Sequence, residues 1–384
     1  MRKEQEHERR ESKNQVLLDQ SFMKMAIQLA EGARGQTSPN PTVGAVVVKN
    51  GTIVGLGAHL RAGESHAEIH ALQLAGKKAK GATVYVTMEP CSHYGKTPPC
   101  VQALLEAEVT RVVIATLDCN PLVAGKGLAL LKQAGIEVVV GVLEREARQC
   151  NEPFFHYVKT RMPFVTLKTA STLDGKVATT TGNSKWITSD IARREVHEER
   201  AKSDAILVGI NTVIKDDPSL TARMYENGKQ PIRVVLDQTL RIPETAAILN
   251  DATSPVWIFT TRRASLEKAD VLRANGIRIT VQQEDQLTIP FVLQTLGEAE
   301  VVSVLVEGGS RISGAFLEAK AIQKVIAYVA FTLVGGEQAP VAYGGIGIPF
   351  MKDAIKLRDV AVETVSEQEL RITGYPLWTD HINS

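Results

Sequence analysis

The stretch His66–Cys100, HAEIHALQLAGKKAKGATVYVTMEPCSHYGKTPPC, decides how this chain folds. It supplies one imidazole (His66), one carboxylate two residues later (Glu68) and two thiols (Cys91 and Cys100) in a Pro-rich turn. A neutral imidazole and two thiolates fill three positions of a tetrahedral zinc site, leaving the fourth for a water whose pKa the metal lowers. The carboxylate is then free to carry protons.

Local pattern puts these groups near one another. Ala67, Ile69, Ala71, Leu72 and Leu74 give His66–Leu74 an apolar helical side, and Gly76 sits near its end. Ala82–Met88 reads as a buried strand that leaves through Glu89-Pro90-Cys91. A second helix is expected to start near Thr97 as N-cap, with Pro98 and Pro99 in its first turn. Cys100 would then lie at a helix N-terminus, where the dipole favours thiolate. On spacing alone, ordinary buried thiols compete with a metal site, because eight residues separate the cysteines and structural zinc sites use fewer. His-Ala-Glu before a strand and Pro-Cys after it match the zinc deaminase signature in order and separation.

A chain of 384 residues is long for one core, so two domains are expected. The net charge of +1 and 23% charged residues suggest neither a nucleic-acid nor a membrane surface. Apolar runs are strand-length and the N-terminus lacks a signal-peptide core, so a cytoplasmic protein is expected. All four cysteines lie in the first 150 residues, which argues against a disulfide framework and leaves Cys119 and Cys150 as inert thiols.

Residues 1–20, opening on MRKEQEHERRESKNQ, read as a charged extension, either a solvated helix or disordered. Folding proper is expected from Ser21, where Phe22, Met25, Ala26 and Leu29 recur at helical spacing. Val43–Val48 and Ile53–Gly57 form a hairpin through Asn50-Gly51. Helix Val101–Glu108, strand Arg111–Thr116, helix Gly127–Ala134 and strand Glu137–Val140 complete a layered α/β domain over 21–161, with 157–163 as a short linker. Residues 162–384 form a second α/β domain, with strands Phe164–Thr169, Ala205–Gly209, Ile232–Leu236, Val256–Thr260 and Val301–Val306 and helices Ile191–Ala201 and from Ser310. Glu307-Gly308-Gly309-Ser310 joins the last strand to its helix as a phosphate-approach turn would, although such a turn is common and is not G-x-G-x-x-G.

The motifs PNPTVGAVVVKNG, GAHLRAGESHAEIHAL, EPCSHYGKTPPC and NPLVAGKG, followed by LKTASTLDGKVAT, SKWITSD, ERAKSDAILVGINTVIKDDPSLTAR and LVEGGSRISGAFL, run in order over about residues 21–380. Together they resemble the bifunctional riboflavin-biosynthesis deaminase/reductase family. The resemblance implies a cytidine-deaminase-like α/β/α domain followed by a dihydrofolate-reductase-like α/β domain, with Zn²⁺ and NADPH as cofactors. It implies His66, Cys91 and Cys100 as zinc ligands, Glu68 as proton shuttle, and Asn40, His59, His93 and Lys96 as contacts to a phosphoribosylaminopyrimidine. In the second domain it implies Ala170, Trp186, Thr212, Asp216, Gly309, Ser310, Arg311, Ile312, Ser313 and Gly314 as NADPH contacts. Ser184, Arg200, Leu220, Arg223 and Glu307 follow as substrate contacts, the two arginines suiting a phosphate. Lys168 and Asp174 lie near that site without a defined role. Two features depart from easy transfer: Asp118-Cys119-Asn120-Pro121 stands where the family shows Asp-Pro-Asn-Pro, and Asp237 after a strand would favour NAD in a Rossmann fold. Partners are expected to be small molecules, with no nucleic acid or membrane, and a homo-oligomer is compatible with the sequence. The rivals are a nucleoside or tRNA deaminase with an unrelated C-terminal domain, and a non-catalytic zinc-stabilised binding module.

Overall fold

The computed structural model describes residues 2–93, 98–120, 124–223 and 228–378, with side chains described from Lys13 onward. The chain divides into two compact units, Met1–Thr160 and Arg161–Ser384. No helix among the described residues is long and apolar enough to cross a membrane.

The first unit runs α1 (Arg2–Gly32), β1 (Gly44–Lys49), β2 (Thr52–Ala58), α2 (Ala67–Ala75), β3 (Thr83–Met88), α3 (Cys100–Glu106), β4 (Arg111–Thr116), α4 (Lys126–Gln133), β5 (Glu137–Val140), α5 (Glu144–Cys150) and α6 (Glu152–Thr160). Its sheet has the order β2-β1-β3-β4-β5, antiparallel through β3 and parallel from there. Alternating strand residues send Val46, Tyr85 and Val113 toward α1 and α5, and Val47, Val84 and Val112 toward α2, α3 and α4. Each fully buried side chain such as Leu104 or Leu131 stabilises this three-layer stack by roughly 1.5–3 kcal/mol. Gly55 and Gly57 let α2 lie against β2, since a Cβ at either position would meet a helix carbonyl at 2.1 Å.

Three expectations are corrected here. Of the two alternatives for the charged extension the helical one holds, and α1 runs unbroken from Arg2 to Gly32, so the boundary at residue 20 falls inside a helix. Asp19 belongs to the core: its Oδ1 accepts from Tyr85 Oη and Arg111 Nη1, and its Oδ2 from Arg111 Nη2, each at 2.8 Å. Residues 157–160 of the expected linker are the end of α6, because EPFFHYVKT is an amphipathic helical sequence. The helix after Cys91 starts at Cys100 with Pro99 as its N-cap position, while Thr97 lies outside the described residues.

The second unit runs β6 (Phe164–Thr172), α7 (Asp190–Ala201), β7 (Ala205–Gly209), α8 (Ile210–Asp216), β8 (Ile232–Leu236), α9 (Ala247–Asn250), β9 (Val256–Thr261), α10 (Leu266–Ala274), β10 (Arg278–Gln282), α11 (Ile289–Glu298), β11 (Ser303–Val306), α12 (Ser310–Glu318), β12 (Lys324–Ala330), β13 (Leu357–Ser366) and β14 (Glu369–Pro376). The sheet order is β10-β9-β8-β7-β11-β6-β12-β14-β13, parallel from β10 to β12 and antiparallel at the last two strands. One face packs on α11 and α12 through Val292, Leu296 and Phe316, and the other on α8 and α10 through Val213 and Leu272. Strand β11 inserts between β6 and β7, so the chain reverses direction across the sheet there. Such a switch point opens a crevice beyond the carboxyl ends of the strands.

Candidate functional site

In the first unit, one ligand atom each from His66, Cys91 and Cys100 lies within 4.8 Å of the others. His66 is the extended N-cap of α2, Cys91 follows β3, and Cys100 opens α3, so three element ends converge. His66 Nδ1 stands 3.2 Å from Cys100 Sγ and 3.6 Å from Cys91 Sγ. A tetrahedral zinc with ordinary Zn–N and Zn–S bonds holds N and S about 3.6 Å apart, so the residues present fit that ion. The Cys100 backbone N–H donates to Cys91 Sγ at 3.3 Å. A hydrogen bond from the Cys100 thiol, one from His66 and that backbone bond together hold the Cys91 thiol below its ordinary value. The Cys100 thiol is instead pushed up, first by its bond to Cys91, then by burial and the neighbouring Glu68.

Glu68 sits in the first turn of α2 and is buried. Burial raises its carboxyl to about 7. Asn40 and His59 stand beside this group: Asn40 Nδ2 donates to His59 Nε2 at 3.3 Å, and His59 Nδ1 donates to the Ser65 carbonyl at 3.2 Å. The His59 ring meets His66 edge-on at 5.2 Å, and burial keeps its pKa below the ordinary value. His93 is exposed, and Lys96 lies outside the described residues. Sequence reasoning missed Glu89. Its buried carboxylate accepts from the backbone N–H groups of Asp118, Gly125 and Leu128 at 3.3, 3.0 and 3.1 Å, tying the strand end that leads to Cys91 to the end of β4 and the start of α4. The acidic residue directly before Pro-Cys was the available signal. Cys119 is half-buried with its thiol pushed up to about 11 by burial, and Cys150 is buried beside Thr42, 3.4 Å from its hydroxyl.

In the second unit, a cavity of about 900 Å³ opens at the carboxyl ends of β6, β7, β8 and β11. Of the expected NADPH contacts, Ala170, Thr212, Asp216, Gly309, Ser310, Arg311 and Ile312 line it, as do Ser184 and Glu307 of the substrate set. Gly308 lets α12 approach β11, since a Cβ there would meet Ile312 Cβ at 2.4 Å, whereas a Cβ at Gly309 meets nothing within 4 Å. Lys168, Lys215, Gln238, Arg241 and Arg311 add polar groups to the wall.

Other expected contacts lie elsewhere. Ser313 is buried, and Gly314 packs on Gly344, whose carbonyl a Cβ would meet at 2.2 Å, so both serve helix packing. Trp186 is exposed and stacks on the Arg193 guanidinium at 4.2 Å. Leu220 has its side chain in the core, and Arg223 is exposed. Arg200 does not offer its fork to a phosphate, because Nε and Nη2 already engage the Glu307 carboxylate at 2.6 and 3.0 Å. Burial opposes ionisation of Glu307, but Arg200 outweighs it and holds the carboxyl below its ordinary value. Burial lowers the Lys168 amine in the same wall. Asp174 closes a turn, accepting from Thr172 Oγ1 and the Gly335 N–H, each at 2.6 Å. Asp237 is fully buried and accepts the Ile242 N–H at 2.8 Å, so it is no ribose ligand.

Residues 17–116 match the cytidine and deoxycytidylate deaminase zinc-binding region, and residues 163–370 match the RibD C-terminal domain. The riboflavin biosynthesis protein RibD of Bacillus amyloliquefaciens is 47% identical over 359 residues, 94% of this chain and 96% of that protein. Its counterpart in Escherichia coli K12 is 43% identical over 331 residues, 83% of this chain and 89% of that one. Among solved structures, Acinetobacter baumannii RibD, form 1, gives a TM-score of 0.84 at 41% identity, covering 94% of this chain and all of that one. A diaminohydroxyphosphoribosylaminopyrimidine deaminase/5-amino-6-(5-phosphoribosylamino)uracil reductase from Thermotoga maritima gives 0.82 at 37% identity, covering 94% of this chain. The folds expected of the two halves, cytidine-deaminase-like and dihydrofolate-reductase-like, therefore hold.

Proposed function

Because this chain belongs to the RibD family of bifunctional riboflavin-biosynthesis deaminase/reductases, we propose how its own residues divide the work. It is a zinc-dependent deaminase and an NADPH-dependent reductase. The first unit, Met1–Thr160, deaminates 2,5-diamino-6-(5-phosphoribosylamino)pyrimidin-4-one at C2. The second, Arg161–Ser384, reduces the ribosyl group to give 5-amino-6-(5-phosphoribitylamino)uracil. The rival with an unrelated second domain falls, since residues 163–370 match the RibD C-terminal domain.

Zinc, when bound, makes a water acidic enough to attack at neutral pH. His66, Cys91 and Cys100 hold it, and Glu68 takes up and returns protons without being a ligand. Asn40 and His59 orient the pyrimidine, while His93 and Lys96 serve its ribose phosphate. In the second half Ala170, Trp186, Thr212, Asp216 and the Gly309–Ile312 segment would hold NADPH, with the N-terminus of α12 toward a phosphate. Ser184, the Leu220 backbone, Arg223 and Glu307 take the substrate, and Arg200 acts by keeping Glu307 ionised. Hydride transfer needs alignment and no protein nucleophile.

The observation that carries the reading is the convergence of the three ligand atoms within 4.8 Å, with buried Glu68 on the helix that His66 caps. Near-neutral charge supports a free small-molecule substrate with no nucleic acid or membrane. Exposed Ile346, Phe350 and Met351 support self-association, and four cysteines outside any disulfide suit the cytoplasm. Supplying the diaminopyrimidine phosphate with and without NADPH and weighing the products tests the whole. Deaminated product alone without NADPH, and deaminated, reduced product with it, are expected; unchanged substrate in both would overturn the assignment.

A further inference from the structure

Leu220 adopts φ of +52°, a backbone region L side chains rarely take, with its side chain in the core of the second unit. A residue stays there only when its surroundings over-determine it. Around Leu220 they do. Fully buried Arg233 of β8 donates from Nη1 to the Ser219 carbonyl at 3.3 Å. The Thr221 carbonyl lies 3.3 Å from Arg200 Nη1 and 3.2 Å from His197 Nδ1. Gln230 engages both backbone groups of Ala222: Oε1 accepts its N–H and Nε2 donates to its carbonyl, each at 2.9 Å. The next residue is exposed Arg223, whose N–H lies 3.3 Å from His197 Nδ1.

We propose that Gln230 is a positioning residue for the reductase, fixing Ala222 so that Arg223 is aimed at the substrate's phosphate. The inference rests on the reading of Arg223 as the phosphate contact. A carboxamide offers a donor and an acceptor in one plane, as a neighbouring strand would. Ala222 is buried, so its polar groups cannot simply turn to water if that partner is lost. The backbone must then rotate, and Arg223, one residue on, rotates with it.

The test is a double-mutant cycle of Gln230→Leu and Arg223→Ala in the full chain. It reads KM and kcat for 5-amino-6-(5-phosphoribosylamino)uracil and for its dephosphorylated form, together with KM for NADPH. Gln230→Leu is expected to raise KM for the phosphorylated substrate about tenfold, with kcat, the NADPH KM and the dephosphorylated substrate unaffected. In the Arg223→Ala background it should add nothing. If Gln230→Leu does not fold, isosteric Gln230→Glu, which keeps only the bond from the Ala222 N–H, replaces it in the cycle. An equal further loss in the Arg223→Ala background, or equal losses for both substrates and NADPH, would reduce Gln230 to a fold-stabilising role. No effect of Arg223→Ala on KM would remove the phosphate reading and the inference with it, whereas a loss with Arg223→Ala and none with Gln230→Leu would overturn the inference alone.

Discussion

In the first unit three ligand atoms meet within 4.8 Å and one buried carboxyl stands beside them, whereas in the second unit backbone, glycines and scattered side chains line a cavity of about 900 Å³. A site that converges on a point depends on the identity of each side chain. A site that lines a wall depends on shape, and one residue there is seldom decisive unless it is charged and buried. The contrast predicts abrupt losses in the first half and graded ones in the second.

The largest effect is expected at the ligands. His66→Ala, Cys91→Ser or Cys100→Ser should lose zinc and deamination together, as metal analysis and product assay will show, while reduction of pre-deaminated substrate persists. Glu307→Ala tests the buried charge in the wall. It leaves Arg200 uncompensated, so the second unit should lose about 3–5 kcal/mol in denaturant unfolding, along with reduction, while deamination continues. Loss of deamination in that variant would break the separation of the halves.

The glycine pair sharpens the idea of a wall. Gly309→Ala meets nothing within 4 Å, so stability should hold while KM for NADPH rises about tenfold as the cavity narrows. Gly308→Ala drives a methyl against Ile312 Cβ at 2.4 Å and should lower the unfolding midpoint first.

The same contrast governs what could be read from the chain. His66, Glu68, Cys91 and Cys100 were legible because their side-chain types and order carry the chemistry. Gly309 to Ile312 were legible as a strand-to-helix turn. The pairing of Arg200 with Glu307 was not, because it joins residues far apart in sequence. The Asp19–Arg111 pair was hidden for the same reason, inside a helix whose charged start masks where its buried face begins. Strand β13 is exposed over most of its length, so it carries no period of burial by which to find it.

The smallest predicted effect concerns that hidden pair. Burial opposes ionisation of Asp19, but hydrogen bonds from Arg111, Gln15 and Tyr85 outweigh it and lower its pKa. A carboxyl depressed on folding stabilises above its unfolded value of about 3.9, and the contribution fades as pH falls through the lower folded value. Unfolding midpoints of the wild type and Asp19→Asn should therefore differ at neutral pH and converge in acid. A gap that persists below that range would contradict the sign.

The most direct measurement is the zinc content of Glu68→Gln, taken together with both half-reactions on the same preparation. The account predicts full zinc, deamination reduced at least about a hundredfold and reduction of pre-deaminated substrate at the wild-type rate. Loss of zinc, or deamination at the wild-type rate, would contradict the division between three residues that hold the metal and a fourth that moves the proton.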